Sequence, residues 1–266
     1  MKALDFEYAG QRLSNFNMII CNFGSKGLET ISNGSTITFN MIPTLNGYKH
    51  NLISSKYEEC LTTTLQVCKN SCTSDITEIS KTELRTLMRW LNRKNFQKFK
   101  LLDEDNIDIY HEAVINVSRI EIDGRVYGLE LEIETNRPFA LKEAKTITIK
   151  NTEQNGKYSI NDVSHEEGYI YPCTEITISD DASGDLEIYN AIEDRTTLIK
   201  NCVAGETIIM DYPVIQSSIS SHNIQNDFNW NFFRVANTFD NSRNDLTISL
   251  PCSIKVTYSP IVKVGL

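Results

Sequence analysis

The chain is short of what several function classes require. In 266 residues it has 6 prolines, 12 glycines, 4 histidines and 2 tryptophans. Lys and Arg total 26 against 35 Asp and Glu, a net charge of −9. A protein that grips nucleic acid through its phosphates needs the opposite balance. No run approaches the 18 or more apolar residues of a membrane helix. The opening Met1-Lys2-Ala3-Leu4-Asp5-Phe6-Glu7-Tyr8 carries one lysine and no apolar core after it, so no secretion signal is expected there. Seven cysteines are an odd set. Only Cys60, Cys68 and Cys72 cluster, and their spacing matches no zinc motif, so reduced thiols in a protein made in a cytosol are expected.

Catalytic signatures are absent as well. None of the G-x-S-x-G, P-loop or H-E-x-x-H patterns occurs, and His50, His111, His165 and His222 stand beside no nucleophile motif. Two acidic runs, DEDNID at 103–108 and DDASGD at 180–185, lack the ligand pattern of an EF-hand loop: Ile107 occupies a ligand position, and neither run ends in a correctly placed Glu. They are expected to be surface turns. The reading is a protein that is not an enzyme and needs no cofactor or metal.

The charge that is present is unevenly placed. Residues 1–150 hold 19 basic and 19 acidic side chains, so residues 151–266, with 7 and 16, carry the whole −9. Two differently built halves follow, with the first domain at 1–140 and the second at 141–266. A chain of this length buries roughly 70–75% of its unfolded surface, enough for stability without staples.

Period-two alternation runs through both halves. Leu4–Tyr8, Thr36–Ile42 and Leu61–Val67 read as strands, rich in Thr and branched residues. The clearest hairpin is 113–134, turning at Asp123-Gly124, the pair a type I′ turn favours. Leu129, Leu131 and Ile133 share one face; Ile120 and Ile122 fall out of phase with Ala113, Ile115 and Val117, which predicts a bulge near Ser118-Arg119. The second half repeats short strands at Glu175–Ile178, Asp185–Tyr189, Thr207–Met210 and Leu246–Leu250, the spacing of a β-sandwich.

One stretch breaks the β-pattern. Ser80-x-x-Glu83 is a capping box, and Leu84, Leu87, Met88 and Leu91 follow at helical spacing. Lys81, Arg85, Arg89 and Arg93 line an adjoining face, and Trp90 flanks the apolar stripe. A solvated basic face, a protein interface and DNA readout are the three uses of such a helix. Arg and Trp favour an interface, while a lone helix in a neutral half lacks a second recognition element for DNA.

The order of these pieces resembles the distal tail protein (Dit) family of long-tailed bacteriophages. The opening Phe6, Tyr8, Gly10, Leu13 and Phe16, the helix with its Trp90-Leu91 pair, the Asp-Gly hairpin and the Asn136-Arg137-Pro138-Phe139 exit resemble its N-terminal domain. Pro172–Ile178, Gly184–Asn190 and Gly205–Asp211 resemble strands of its galectin-like C-terminal domain, with Ser242-Arg243-Asn244 in place of a G-x-N turn.

The resemblance implies a mainly β fold: a tail-tube-like β-sandwich or barrel with one helix, then a galectin-like β-sandwich. It further implies a homohexameric ring at the virion tail tip, synthesised in the cytoplasm of a bacterial host, with DNA passing through its channel. The tail tube protein would lie above, the tail hub or tail-associated lysin below, and receptor-binding or side-fibre proteins on the outer domains. A long excursion clasps the neighbour in that family, and Thr44–Tyr57, with Tyr48 and Tyr57, is the candidate here. The candidate interface is therefore Arg85, Arg89, Trp90, Arg93, Tyr48 and Tyr57.

The alternative function is an adhesin module that binds a receptor or carbohydrate. The galectin sugar motifs resemble H-x-N-x-R and W-G-x-E, and Ser221-His222-Asn223 and Trp230-Asn231-Phe232 lack the Arg and the Glu. Trp230, Phe232 and Phe233 are expected to be core and interdomain aromatics.

Overall fold

The computed structural model describes residues 5–23, 35–73, 76–103, 108–238 and 240–264. The chain is mainly β and forms two compact units, Met1–Lys142 with Val262–Leu266, and Glu143–Ile261. The second unit therefore ends before residue 266, where the sequence boundary was drawn, because the chain beyond it rejoins the first.

The first unit runs β1 (Asp5–Tyr8), β2 (Gln11–Arg12), a 3-10 turn (Leu13–Phe16), β3 (Met18–Cys21), β4 (Ile37–Pro43), β5 (His50–Tyr57), β6 (Thr62–Lys69), helix α1 (Lys81–Leu91), β7 (Gln97–Leu102), β8 (Ile109–Ile122), β9 (Arg125–Thr135) and β10 (Ala140–Lys142). Its main sheet has the order β2-β1-β7-β8-β9-β6-β3. The β8–β9 hairpin turns at Asp123 and Gly124, both at positive φ, as a type I′ turn requires. The bulge lies between Ile120 and Glu121, two residues beyond the expected place. Leu129, Leu131 and Ile133 are fully buried, so the alternation that marked β9 is the alternation of a sheet with one face in the core.

His111 is carried into this interior by β8, opposite Phe99 of β7. Its Nδ1 has no hydrogen-bond partner among the described residues, and burial pulls its pKa down to about 4. A histidine held neutral in the fold contributes stability that is complete above its unfolded pKa near 6.5 and is lost as pH falls towards about 4. Between pH 7 and pH 5 this group alone should cost about 2 kcal/mol. Urea titrations at the two pH values should show that loss in the wild type, and a much smaller one in the His111→Gln variant. Equal losses in both would remove His111 as the cause.

The second unit runs β11 (Lys145–Asn151), β12 (Gly156–Asn161), β13 (Gly168–Ile170), β14 (Cys173–Ile178), β15 (Gly184–Asn190), β16 (Arg195–Cys202), β17 (Thr207–Asp211), β18 (Val214–Ser217), the short helix α2 (Ile224–Asp227), β19 (Val235–Asn237), β20 (Arg243–Ile248) and β21 (Cys252–Tyr258); β22 (Ile261–Val262) follows. A five-stranded sheet, β11-β21-β14-β17-β18, and a four-stranded sheet, β12-β20-β15-β16, feed one core. Ile176, Ile208 and Val256 enter it from the first sheet, Leu186, Ile199 and Ile248 from the second. That is the layered solution for strands with one apolar face each.

Asn244, where the sequence suggests a turn, opens β20 with its side chain fully buried. It accepts from Asn190 Nδ2 and from the Ala236 N–H, each at 2.8 Å, and donates to the Ala236 carbonyl at 2.9 Å. This fixes the segment around β19 to the four-stranded sheet. β22 pairs with β10, returning the chain to the first unit. All seven cysteines are free thiols.

Candidate protein interface

Helix α1 is started by the expected capping box. The Glu83 N–H donates to Ser80 Oγ at 3.3 Å, and the Ser80 N–H donates to Glu83 Oε2 at 2.8 Å. Lys69 of β6 reaches the same carboxylate at 2.9 Å. Its hydrogen bond, with those of Ser80, lowers the Glu83 pKa to about 2. The helix is thus fixed at its first turn to the strand beneath it.

Its buried residues are Leu87, Trp90 and Leu91. Trp90 is 3% exposed and lies among Phe6, Phe16 and Tyr8, with ring centroids 5.7, 4.5 and 6.5 Å away. Its indole N–H donates to the Tyr8 carbonyl at 2.8 Å. Trp90 is accordingly a core residue and presents no interface surface, a correction to the sequence reading. At i+3 from Leu87 it extends the apolar stripe, and a neutral half-polar ring of that size is buried wherever its N–H finds an acceptor.

Arg85, Arg89 and Arg93 do face outwards. Arg93 Nε donates to the Trp90 carbonyl at the helix end, at 3.1 Å. Among the described residues, no acidic side chain pairs with Arg85 or Arg89. The two guanidinium groups are charged, exposed and uncommitted.

The excursion at 44–57 differs from its expected irregular form. β4 and β5 make an antiparallel ribbon, joined at Thr44–Lys49, that pairs with no other strand among the described residues. Alternation places Ile37, Phe39 and Met41 on one face of β4, and their register partners on β5 are Tyr57, Ser55 and Leu52. Phe39, Met41 and Leu52 are each more than half exposed, as is Ile53 at the bulge. Tyr48 is 96% exposed at the turn, whereas Tyr57, at the root, meets the Phe139 ring edge-on at 6.3 Å. An isolated two-stranded ribbon is marginal in water, and an exposed apolar strand invites pairing. The first strand was legible as Thr36–Ile42, but β5 was concealed because the extra residue Ile53, opposite Asn40 and Met41, breaks its period-two signal.

Arg85, Arg89 and the ribbon are surface features of one unit built of antiparallel sheet. The described residues contain no group of three His, Cys, Asp or Glu arranged to hold a metal. Among the described residues, no helix is long and apolar enough to cross a membrane.

Residues 1–137 match the family model described as a phage tail protein N-terminal domain, and residues 139–258 match a phage tail C-terminal domain. The chain belongs to this family of phage tail proteins. Among solved structures, the Dit protein of phage SPP1, described as a paradigm of the hub adsorption apparatus in phages that infect Gram-positive bacteria, aligns with a TM-score of 0.60 at 12% identity. The alignment covers 97% of this chain and 99% of that one, so the fold is Dit-like through both units. No curated protein matches the chain in sequence.

Proposed function

We propose that this chain is a distal tail hub: six copies close into a ring at the end of the tail tube, around the channel through which DNA passes. Residues 1–140 build the ring. The tail tube protein contacts it from above and the tail hub or tail-associated lysin from below. Residues 141–266 extend outwards and carry receptor-binding or side proteins. The role is mechanical, with no catalysis.

The observation that supports this reading is the β4–β5 ribbon, which pairs with no further strand among the described residues and leaves Phe39, Met41 and Leu52 exposed. A cyclic ring needs one patch to meet a different patch on the next copy. The ribbon is one such patch, and the exposed arginines of α1 are a candidate for a second. The net neutrality of residues 1–150 lets copies pack without like-charge crowding, while the acidic remainder is suited to solvent.

The test is sedimentation velocity and negative-stain microscopy of the full chain beside a triple variant, Phe39→Ser, Met41→Ser and Leu52→Ser. The wild type should form a ring. The variant should sediment as a folded monomer with unchanged circular dichroism, because those side chains lie outside either core. A variant ring identical to the wild type would remove the ribbon from the interface. A wild type that stays monomeric at high concentration, with tail partners added, would overturn the hub reading.

A further inference from the structure

Residues 84–102 hold six basic side chains, Arg85, Arg89, Arg93, Lys94, Lys98 and Lys100, and no acidic one, in a chain whose net charge is −9. Arg85 and Arg89 stand one turn apart on the exposed side of α1, about 6 Å along its axis. Other exposed arginines of the first unit are matched: Arg119 by Glu121 at 3.2 Å, Arg125 by Glu78 at 3.6 Å and Arg137 by Glu112 at 3.0 Å. Arg85 and Arg89 have no such carboxylate among the described residues.

Beside them lies a cleft of about 210 Å³, between the first two turns of α1 and the chain that leads into β3. Buried Met18, Ile79 and Leu87 and the ring of Phe16 supply its apolar lining. Thr82 and Thr86 are exposed on its helix side. Each threonine precedes an arginine by three residues, so the cleft and the two guanidinium groups are neighbours on the helix surface. The charges of the lining are already matched, since Lys69 and Glu83 meet at 2.9 Å. Phe16 is backed by the Trp90 ring, stacked at 4.5 Å and 20°, which keeps the cleft in shape without an occupant.

Size narrows what can enter. An apolar cavity of about 150 Å³ holds one benzene ring, whereas small-molecule sites run to about 300–1,000 Å³. The cleft matches one bulky apolar side chain.

We infer that this face of α1 receives an acidic segment of another tail protein, with one bulky apolar side chain in the cleft and flanking carboxylates on Arg85 and Arg89. A guanidinium pairs with a carboxylate through two parallel hydrogen bonds, and an apolar anchor beside such pairs is the arrangement that carries protein interfaces. Nucleic acid fits less well. Its phosphates would meet the arginines but leave the cleft unused, and the negative chain repels a polyanion at longer range. The inference goes beyond the hub reading and rests on it only for the partner being a tail protein.

The test pans the full chain against a displayed library of random twelve-residue peptides. Selected peptides are synthesised, labelled and titrated by fluorescence anisotropy. They should carry at least two Asp or Glu within four residues of a Phe, Leu, Met or Trp. The double variant Arg85→Glu with Arg89→Glu should weaken them about tenfold or more, and Thr86→Trp, which blocks the cleft but keeps both arginines, by a similar factor. All three positions are exposed, so circular dichroism should not change.

A selection without acidic residues would overturn the inference, as would peptides that either variant binds as tightly as the wild type. Labelled duplex DNA or anionic vesicles that bind the wild type more tightly than the peptides, and lose that binding in the double variant, would assign the face to a different class of partner. Loss of the hexameric ring in the double variant would place the arginines in the contact between copies, overturning the inference and leaving the hub reading intact. Peptide binding by a chain that forms no ring would sink the hub reading and leave the inference standing.

Discussion

Replacing Trp90 with alanine should destabilise the first unit by about 3–5 kcal/mol, the cost of emptying a large aromatic site in a packed core. The ring fills the space between Phe6 and Phe16, stacked within 11° and 20° of their planes, so the neighbours cannot collapse into the hole without breaking both stacks. The Tyr8 carbonyl would also lose its donor. Whole domains are stable by only about 5–15 kcal/mol, so the variant should sit close to unfolding at moderate temperature. Trp90→Phe, which restores most of the volume but not the N–H, should lose about 1–2 kcal/mol. Chemical denaturation followed by circular dichroism would measure both. A Trp90→Ala variant that keeps its midpoint but fails to assemble would return Trp90 to the interface from which its burial removes it.

An equally large loss is expected from His222→Ala in the second unit. Glu206 has no exposed side-chain surface, yet it is held ionised. Burial pushes its pKa up, but hydrogen bonds from Ser217 Oγ at 2.5 Å, His222 Nδ1 at 2.5 Å and the Val203 N–H at 2.9 Å together outweigh that and bring it below the ordinary carboxylate value. The histidine is fixed from its far side by the Lys200 carbonyl at 3.0 Å. Taking away one donor leaves a buried charge under-compensated, which costs about 3–5 kcal/mol.

The sign with pH follows from the lowered carboxyl. Its stabilisation is present above the unfolded value near 4.3 and disappears as pH falls below it. Thermal melts of His222→Ala against wild type at pH 7 should show the loss, and Glu206→Gln should flatten the acid limb below pH 4.5. A wild-type midpoint in His222→Ala would mean that water replaces the imidazole at no cost.

The β-elements were legible because their residues sit where one rule dominates. Leu129, Leu131 and Ile133 alternate because one face of β9 is sealed, and Ser80 with Glu83 marks a helix start through bonds that involve only neighbours. Features that depend on distant segments were not legible. Nothing in the sequence around Trp90 says that Phe16 closes over it from the far end of the unit. Trp230 was expected with Phe232 and Phe233 among the core and interdomain aromatics; those two are buried in the core, whereas the Asn229 turn, tied to Thr196 and Leu198 of β16, leaves Trp230 exposed. Of the ribbon, β4 was legible as the strand at Thr36–Ile42, while β5 was not, because the extra residue Ile53 interrupts its alternation. Of the candidate interface, Arg85, Arg89, Arg93 and Tyr48 lie at the surface, Tyr57 is half-buried at the ribbon's root, and Trp90 is internal.

The pairing of β22 with β10 makes the second unit an insertion between two strands of the first. A ribosome delivers β10 long before β22, with the whole of Glu143–Ile261 between them, so the first sheet must wait for the second unit before its last ladder forms. Folding from the N-terminus as synthesis proceeds then yields a first unit with an unfinished edge until the second unit has been made. A product that stops before β22 would therefore carry β10 with one strand edge open, the kind of edge that pairs indiscriminately with other chains.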